Sequence, residues 1–197
     1  MRGRSDRLIL APLAGALGLA LAVSAAAQEQ VSDNPEVAAM FAADQAQRSG
    51  NSEDPEAGFK SDTERRARTR ALYEAGALKT AADYFGAAFI FQHGNEPRDY
   101  LFAHTLAVRS LALGRKDAEW IAAATLDRYL QSIGQPQAYG TQYRFPDEGG
   151  VTMEPYDRAL LTDAQRRMTG AGDLAAQNGR LEEYAKLVPP AAASPGK

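Results

Sequence analysis

The stretch that decides the fold is Thr80–Gly94, with the sequence TAADYFGAAFIFQHG. Thr80 and Asp83 have the spacing of a capping box, in which each side chain accepts a hydrogen bond from a backbone N–H of the first helical turn. The residues that follow, as far as Phe91, are apolar nearly all round, which predicts a helix buried on every side. Gly94 is typical of a residue just beyond a helix end. We therefore expect a mainly α protein with this helix at its centre.

Two further helices follow at once, near residues 97–113 and 117–133. Pro97 is suited to a first helical position, and Gly114 and Gly134 are suited to helix ends. Because the connections are very short, neighbouring helices should be antiparallel, as in a helical bundle or a helical-hairpin array. Their predicted buried faces are Leu101, His104, Thr105, Val108, Leu111 and Ala112 on the first, and Trp120, Ala123, Ala124, Asp127 and Leu130 on the second.

Upstream of the central helix, the pattern predicts two more helices. Pro35 should begin the first, with a surface ion pair between Asp44 and Arg48 four residues apart. The polar residues 49–60 indicate a loop. Ser61 with Glu64 resembles a second capping box, for a helix ending near residue 75. This helix carries a row of arginines that we expect to be solvated, namely Arg65, Arg66, Arg68 and Arg70.

Downstream of Gly134, residues 135–158 lack helical periodicity. Their first part, residues 135–145, is rich in glutamine and is referred to below as the polar loop. Residues 142–145 and 151–154 flank a turn-forming DEGG segment, a pattern compatible with a short β-hairpin. Helical patterns return near residues 162–168 and 174–187. A long segment without secondary structure inside a compact domain is often functional.

The chain ends suggest an exported protein. Residues 1–27 have a basic start, an apolar run and a small-residue site, which predict a Sec-type signal peptide cleaved after Ala27. The predicted mature chain has a flexible linker at 28–34, a single α-helical domain at 35–187 and a disordered Pro/Ala-rich tail at 188–197. We therefore predict a periplasmic or secreted protein with no stable membrane insertion once the leader is removed.

The composition of the chain argues against several kinds of partner and site. The leader contributes +2 to the formal charge of −3, which leaves the predicted mature chain at −5 and argues against nucleic acid as a partner. The absence of cysteine excludes disulfides, thiolate metal sites and thiol nucleophiles. Two histidines without a metal-binding motif predict no metal site. Since phosphate-binding glycine loops are also absent, we predict no cofactor.

Several short motifs resemble a family of bacterial domains of unknown function. Those domains carry QHAD, LTDR, G-x-PQ-x-YGTQ and VDxRR motifs and a closing L-x-x-Y. The corresponding residues are Gln92–His93, Leu126–Arg128, Gly134–Gln142, Asp163 with Arg166 and Arg167, and Leu181–Tyr184. The likeness covers roughly residues 36–186, and Gly94–Asn95 depart from the family pattern. It implies a fold and a set of positions but no reaction.

Candidate site residues follow from helix geometry. The central helix and the 117–133 helix should run in the same direction, so the polar loop should leave the bundle at the same end as His93. The predicted binding residues are Gln92, His93, Arg128, Gln137, Tyr139 and Gln142. The candidates for catalysis are His93, His104 and Asp127, since a histidine paired with a carboxylate can act as a general base. A buried Asp127 needs a partner, for which His104, Arg48 and Arg128 are alternatives.

Three functions are compatible with these features. The first is an α-helical binding or interaction module for a peptide, a glycan or an envelope protein. The second is a hydrolase-like enzyme with a His/Asp pair and Arg128 as an anion clamp. The third is a tetratricopeptide-like scaffold of an envelope complex, suggested by the 34-residue length of the segment 81–114.

Overall fold

The computed structural model describes residues 31–49, 55–146 and 149–188. These ranges contain helices α1 Pro35–Ser49, α2 Pro55–Glu74, α3 Ala81–Phe91, α4 Pro97–Ala112, α5 Ala118–Ser132, α6 Asp163–Met168 and α7 Leu174–Leu187. Within them, extended pairing is confined to two isolated bridges. The prediction of a mainly α fold is therefore confirmed.

Helix α3 lies at the centre of the core, as its composition predicts. Both hydrogen bonds of the Thr80–Asp83 capping box are present. The side chains of Ile90 and Phe91 are 1% exposed, and Ala87 is fully buried. Burying an aromatic or branched apolar side chain stabilises a fold by about 1.5–3 kcal/mol. Phe85 and Phe89 extend this core through ring contacts with α1.

Helix α4 buries a different face from the one predicted. Its buried residues are Ala103, Leu106, Ala107 and Ser110, whereas Leu101 and Val108 are 42% and 46% exposed. Small side chains allow the backbones of α3, α4 and α5 to approach closely, and the Ser110 hydroxyl donates to the Ala81 carbonyl at 2.7 Å. The positions of the large apolar residues therefore do not identify the buried face of α4.

Helix α2 begins six residues earlier than the predicted capping box. Ser61 lies inside the helix, where its hydroxyl donates to the Ala57 carbonyl at 2.9 Å. The predicted loop is thus wrong between residues 55 and 60. The expectation of a solvated arginine row is also wrong for Arg66, which is 8% exposed and donates to the His93 carbonyl at 2.6 Å.

The predicted β-hairpin is reduced to one pair of residues. Arg144 and Thr152 exchange backbone hydrogen bonds of 2.8 and 2.9 Å. Among the described residues no second antiparallel pair extends this bridge. A separate bridge joins Gln137 to Tyr156 and holds the polar loop against the segment that follows it.

The described domain starts firmly at its N-terminal end. The Asn34 side chain caps α1 by accepting hydrogen bonds from the N–H groups of Glu36 and Val37, and the backbone N–H of Asn34 donates to Asp83 at 2.7 Å. The predicted signal peptide, residues 28–30 of the linker and residues 189–197 of the tail lie outside the described residues. No helix in the described ranges is both long enough and apolar enough to cross a membrane.

Candidate functional site

Asp127 is the anchor of the polar loop. It lies in the middle of α5, and its side chain is fully buried. One carboxylate oxygen accepts from the N–H groups of Ala138 and Tyr139 at 2.7 and 2.9 Å. The other accepts from the N–H and the hydroxyl of Thr141 at 3.0 and 2.7 Å. Hydrogen bonds to a charged acceptor are stronger than neutral ones, so this single side chain fixes the loop on the helix.

The two predicted binding glutamines of the loop are themselves buried. The Gln137 amide donates to the Gln142 carbonyl and, through a short contact, to the Met153 carbonyl, and it accepts from the Gln142 N–H at 2.9 Å. The Gln142 amide donates to the Ala124 carbonyl at 3.2 Å. Both side chains therefore stabilise the conformation of the loop through buried hydrogen bonds.

A network that sequence reasoning missed supports the far side of the loop. Gln177 of α7 is fully buried and donates to the Tyr139 carbonyl at 2.8 Å. Its amide oxygen accepts from the Tyr156 hydroxyl at 2.8 Å, which in turn accepts from Arg166 at 2.8 Å. Arg166 occurs in the resemblance motif, but Gln177 and Tyr156 had no sequence pattern that marked them.

The predicted His–Asp pair is not formed. His104 places Nδ1 at 2.9 Å from the Ala122 carbonyl, so this nitrogen is the protonated donor. Among the described residues, neither His104 nor His93 hydrogen-bonds to Asp127, whose partners all come from the loop. The geometry thus gives Asp127 an anchoring role in place of an orienting role for a base.

His93 lies in a polar cluster at the end of α3. Arg48 donates to its Nε2 at 3.2 Å, which requires this nitrogen to be unprotonated. Asp44 Oδ2 is 3.6 Å away, and Arg48 is also 3.5 Å from the other oxygen of that carboxylate. Asp44 and Arg48 therefore form an ion pair as predicted, but the pair does not lie wholly on the surface, because the Asp44 side chain is buried. Gln92, beside His93, is 5% exposed.

The His93 cluster should make stability depend on pH. Burial, followed by the charges of Arg48, Arg128 and Arg65, lowers the pKa of His93 to about 4, although the carboxylate of Asp62 acts in the opposite direction. Because this pKa is below the unfolded value, the stabilising contribution is complete above about pH 6.5 and is lost as the pH falls towards 4.

We predict that His93→Gln removes this dependence. Between about pH 7 and pH 5, the free energy of unfolding of the wild type should fall by about 2 kcal/mol relative to the variant. Burial raises the pKa of Asp44. Burial also acts to raise the pKa of Asp62, but the hydrogen bonds from Arg48 and Arg65 together outweigh it and lower that pKa, and both groups titrate in both proteins. Urea denaturation at each pH measures the difference. Parallel pH profiles for the two proteins would contradict the prediction.

Two cavities flank the polar loop. The first, named here the arginine cavity, has a volume of about 350 Å³ and is lined by Tyr100, Arg128, Gln131, Ser132, Gln142, Tyr143 and Arg144. The second, named the aromatic cavity, has a volume of about 230 Å³, and its lining includes Trp120, Thr141, Tyr143, Arg180 and Tyr184. Tyr143 lines both cavities, so the loop forms a wall between them.

Of the predicted binding residues, Arg128 and Gln142 line the arginine cavity, whereas Tyr139 is half-buried and is not among the lining residues of either cavity. No hydrogen bond in the described ranges joins Gln92 or His93 to the polar loop, but the charge of Arg128 contributes to the lowered pKa of His93. Among the described residues, no group of three or more histidine, aspartate or glutamate side chains could hold a metal ion.

No protein-family model, curated protein or solved structure matches this chain. The resemblance to bacterial domains of unknown function therefore stays a prediction, carried by the motifs alone. The geometry described above is the basis for the function proposed below.

Proposed function

We propose that the protein is an exported binding module that recognises its ligand where the polar loop crosses α5. In this proposal the leader directs the chain to the periplasm or the exterior, and α3, α4 and α5 form an antiparallel bundle that carries the loop. The ligand is a peptide, a glycan or a segment of an envelope protein. The observation that carries the proposal is the anchoring of the loop by Asp127 between two cavities.

A rigid loop suits recognition because binding then orders little of the protein. Ordering flexible segments reduces affinity, and a preformed site avoids that loss. The arginine cavity falls within the size range of about 300–1,000 Å³ that is usual for ligand pockets. Trp120 and Arg128 are separated by eight residues on α5, or about 12 Å, so one extended ligand could contact both cavities.

The test is ligand mapping by NMR. A library of short peptides and oligosaccharides is titrated into the ¹⁵N-labelled protein, and we expect shifts concentrated at Gln131, Ser132 and residues 139–144. Tyr143→Ala should weaken any such ligand at least about tenfold, because this ring lines both cavities. Tyr73→Ala, at an exposed tyrosine of α2, is the matched control and should leave affinity unchanged. Ligands that shift only residues remote from the loop would refute the proposal.

A further inference from the structure

The side chains of Arg128 and Gln131 line the arginine cavity, and each of them has one buried donor without an acceptor. Arg128 Nε and Gln131 Nε2 are both inaccessible to solvent and lack a hydrogen-bond partner among the described residues. They lie one turn apart on α5, so their side chains are neighbours on the helix surface. A buried N–H group without a partner destabilises the fold, and more so when the group is charged. Two such groups side by side in one cavity indicate that the acceptor comes from elsewhere.

Among the described residues, none of the three hydroxyl groups that line the cavity accepts from Arg128 Nε or Gln131 Nε2. Tyr100 donates to Gly94 at 2.6 Å, Ser132 to Tyr129 at 2.6 Å and Tyr143 to Gln177 at 3.3 Å. In the part of the chain that the structure describes, no carboxylate lines the cavity.

The charge of the cavity is positive in a chain whose formal net charge is −3. Burial lowers the pKa of the Arg128 guanidinium, the Tyr100 side chain raises it, and the charge of Arg48 lowers it further. No carboxylate of the described residues is among these neighbours. Arg144 lines the same cavity and donates to the Glu154 carbonyl, a neutral acceptor. Two guanidinium groups therefore face one small volume without a described counter-ion.

We infer that the arginine cavity binds an oxyanion group, a carboxylate or a phosphate, of the ligand. Arg128 and Gln131 donate to its oxygens, and Arg144 adds charge. The planar guanidinium matches both kinds of group, because its parallel N–H donors meet two oxygens at once. The inference rests on the proposed function for the identity of the larger ligand, but the oxyanion site itself can be tested alone.

The experiment compares sodium phosphate, sodium acetate and sodium glucuronate with sodium chloride at equal ionic strength. Thermal unfolding of the wild type should shift upwards with at least one oxyanion and not with chloride. Comparing the shift in phosphate with the shifts in acetate and glucuronate shows whether the site prefers a phosphate or a carboxylate group. Isothermal titration of the best anion should give a dissociation constant that Arg128→Gln and Gln131→Met each weaken at least about tenfold. Lys116→Gln, which removes one exposed positive charge near the start of α5, should leave it unchanged.

The variants also separate this inference from the proposed function. In the absence of anion, Arg128→Gln should fold at least as stably as the wild type, because it removes a buried charge that has no described counter-ion. If Arg128→Gln does not fold, the anion affinity of Gln131→Met tests the inference. Absence of any oxyanion-specific shift, or retention of the shift in both variants, overturns the inference. If a ligand maps to the polar loop but no oxyanion raises the unfolding temperature more than chloride does, the binding module stands and the oxyanion site falls.

Discussion

Asp127→Asn is expected to lower the free energy of unfolding by about 3–5 kcal/mol, although it changes the shape of the side chain very little. The carboxylate accepts hydrogen bonds from Ala138, Tyr139 and Thr141 with its two oxygens. In either orientation of an asparagine amide, one NH₂ group would face two loop donors. At least one buried or half-buried backbone N–H would then lose its acceptor, because the Thr141 hydroxyl can turn to accept but an N–H group cannot, and the loop would be held less tightly on α5.

Urea denaturation measures this loss, and hydrogen exchange locates it. The amides of Ala138, Tyr139 and Thr141 should lose protection in the variant, whereas those of α3 should keep it. Asp117→Asn is the matched control, since it makes the same change at the exposed start of α5, where the carboxylate accepts from Arg115 and, among the described residues, caps no backbone N–H. That variant should stay within about 0.5 kcal/mol of the wild type. Equal stability of the two variants would show that Asp127 does not hold the loop.

The role of Asp127 shows where sequence reasoning reached its limit. Burial of the carboxylate was predicted from its place on an apolar face, and with it the need for a partner. The partners of Asp127 that the sequence predicts are side chains, namely His104, Arg48 and Arg128. The actual partners are mostly backbone N–H groups, which converge because the loop turns at Gly140. A turn of this kind depends on backbone angles that residue types alone do not specify.

The helices also differ in how well the local sequence predicts them. α3 was predictable because its cap and its uniformly apolar composition are local. The start of α2 was not, because Gly58 and Ser61 have low helix propensity and favour a loop. Contacts remote in sequence hold this helix instead: Arg65 donates to Gln47 at 2.5 Å, and Arg66 donates to His93. The buried face of α4 was missed because it consists mainly of alanine and serine, which a count of large apolar residues ignores.

The arginine cavity is lined partly by residues that the sequence singles out and partly by residues that it does not. The polar loop and Arg128 were identified from composition and motif, and both line the arginine cavity. Gln131 was not identified, since an isolated glutamine on a helix resembles any solvated residue. Its significance depends on a buried N–H group without an acceptor, which only the packing of α4, α5 and the loop reveals.

Gly140→Ala should be the second severe change, with an expected loss of about 3–5 kcal/mol. Gly140 has a φ of +74°, and a Cβ atom there would lie 2.5 Å from Gln177 Oε1 and 2.7 Å from the Tyr156 ring. Neither neighbour can move easily, because Gln177 is fully buried, Tyr156 is 7% exposed and the two are hydrogen-bonded to each other. A left-handed backbone angle costs about 1–2 kcal/mol for alanine, and overpacking adds about 1–3 kcal/mol or more.

The chain provides a control that separates these two effects. Gly134 also has a φ of +74°, but apart from its two chain neighbours no atom of the described residues lies within 4 Å of the position of its Cβ. Gly134→Ala should therefore lose only about 1 kcal/mol, the effect of the backbone angle. Chemical denaturation of both variants tests the difference, and equal losses would mean that the loop is free to move away from Gln177 and Tyr156. A larger loss in Gly140→Ala than in Gly134→Ala, together with weaker oxyanion binding in Gly140→Ala, would show that the same close packing that fixes the loop also shapes the arginine cavity.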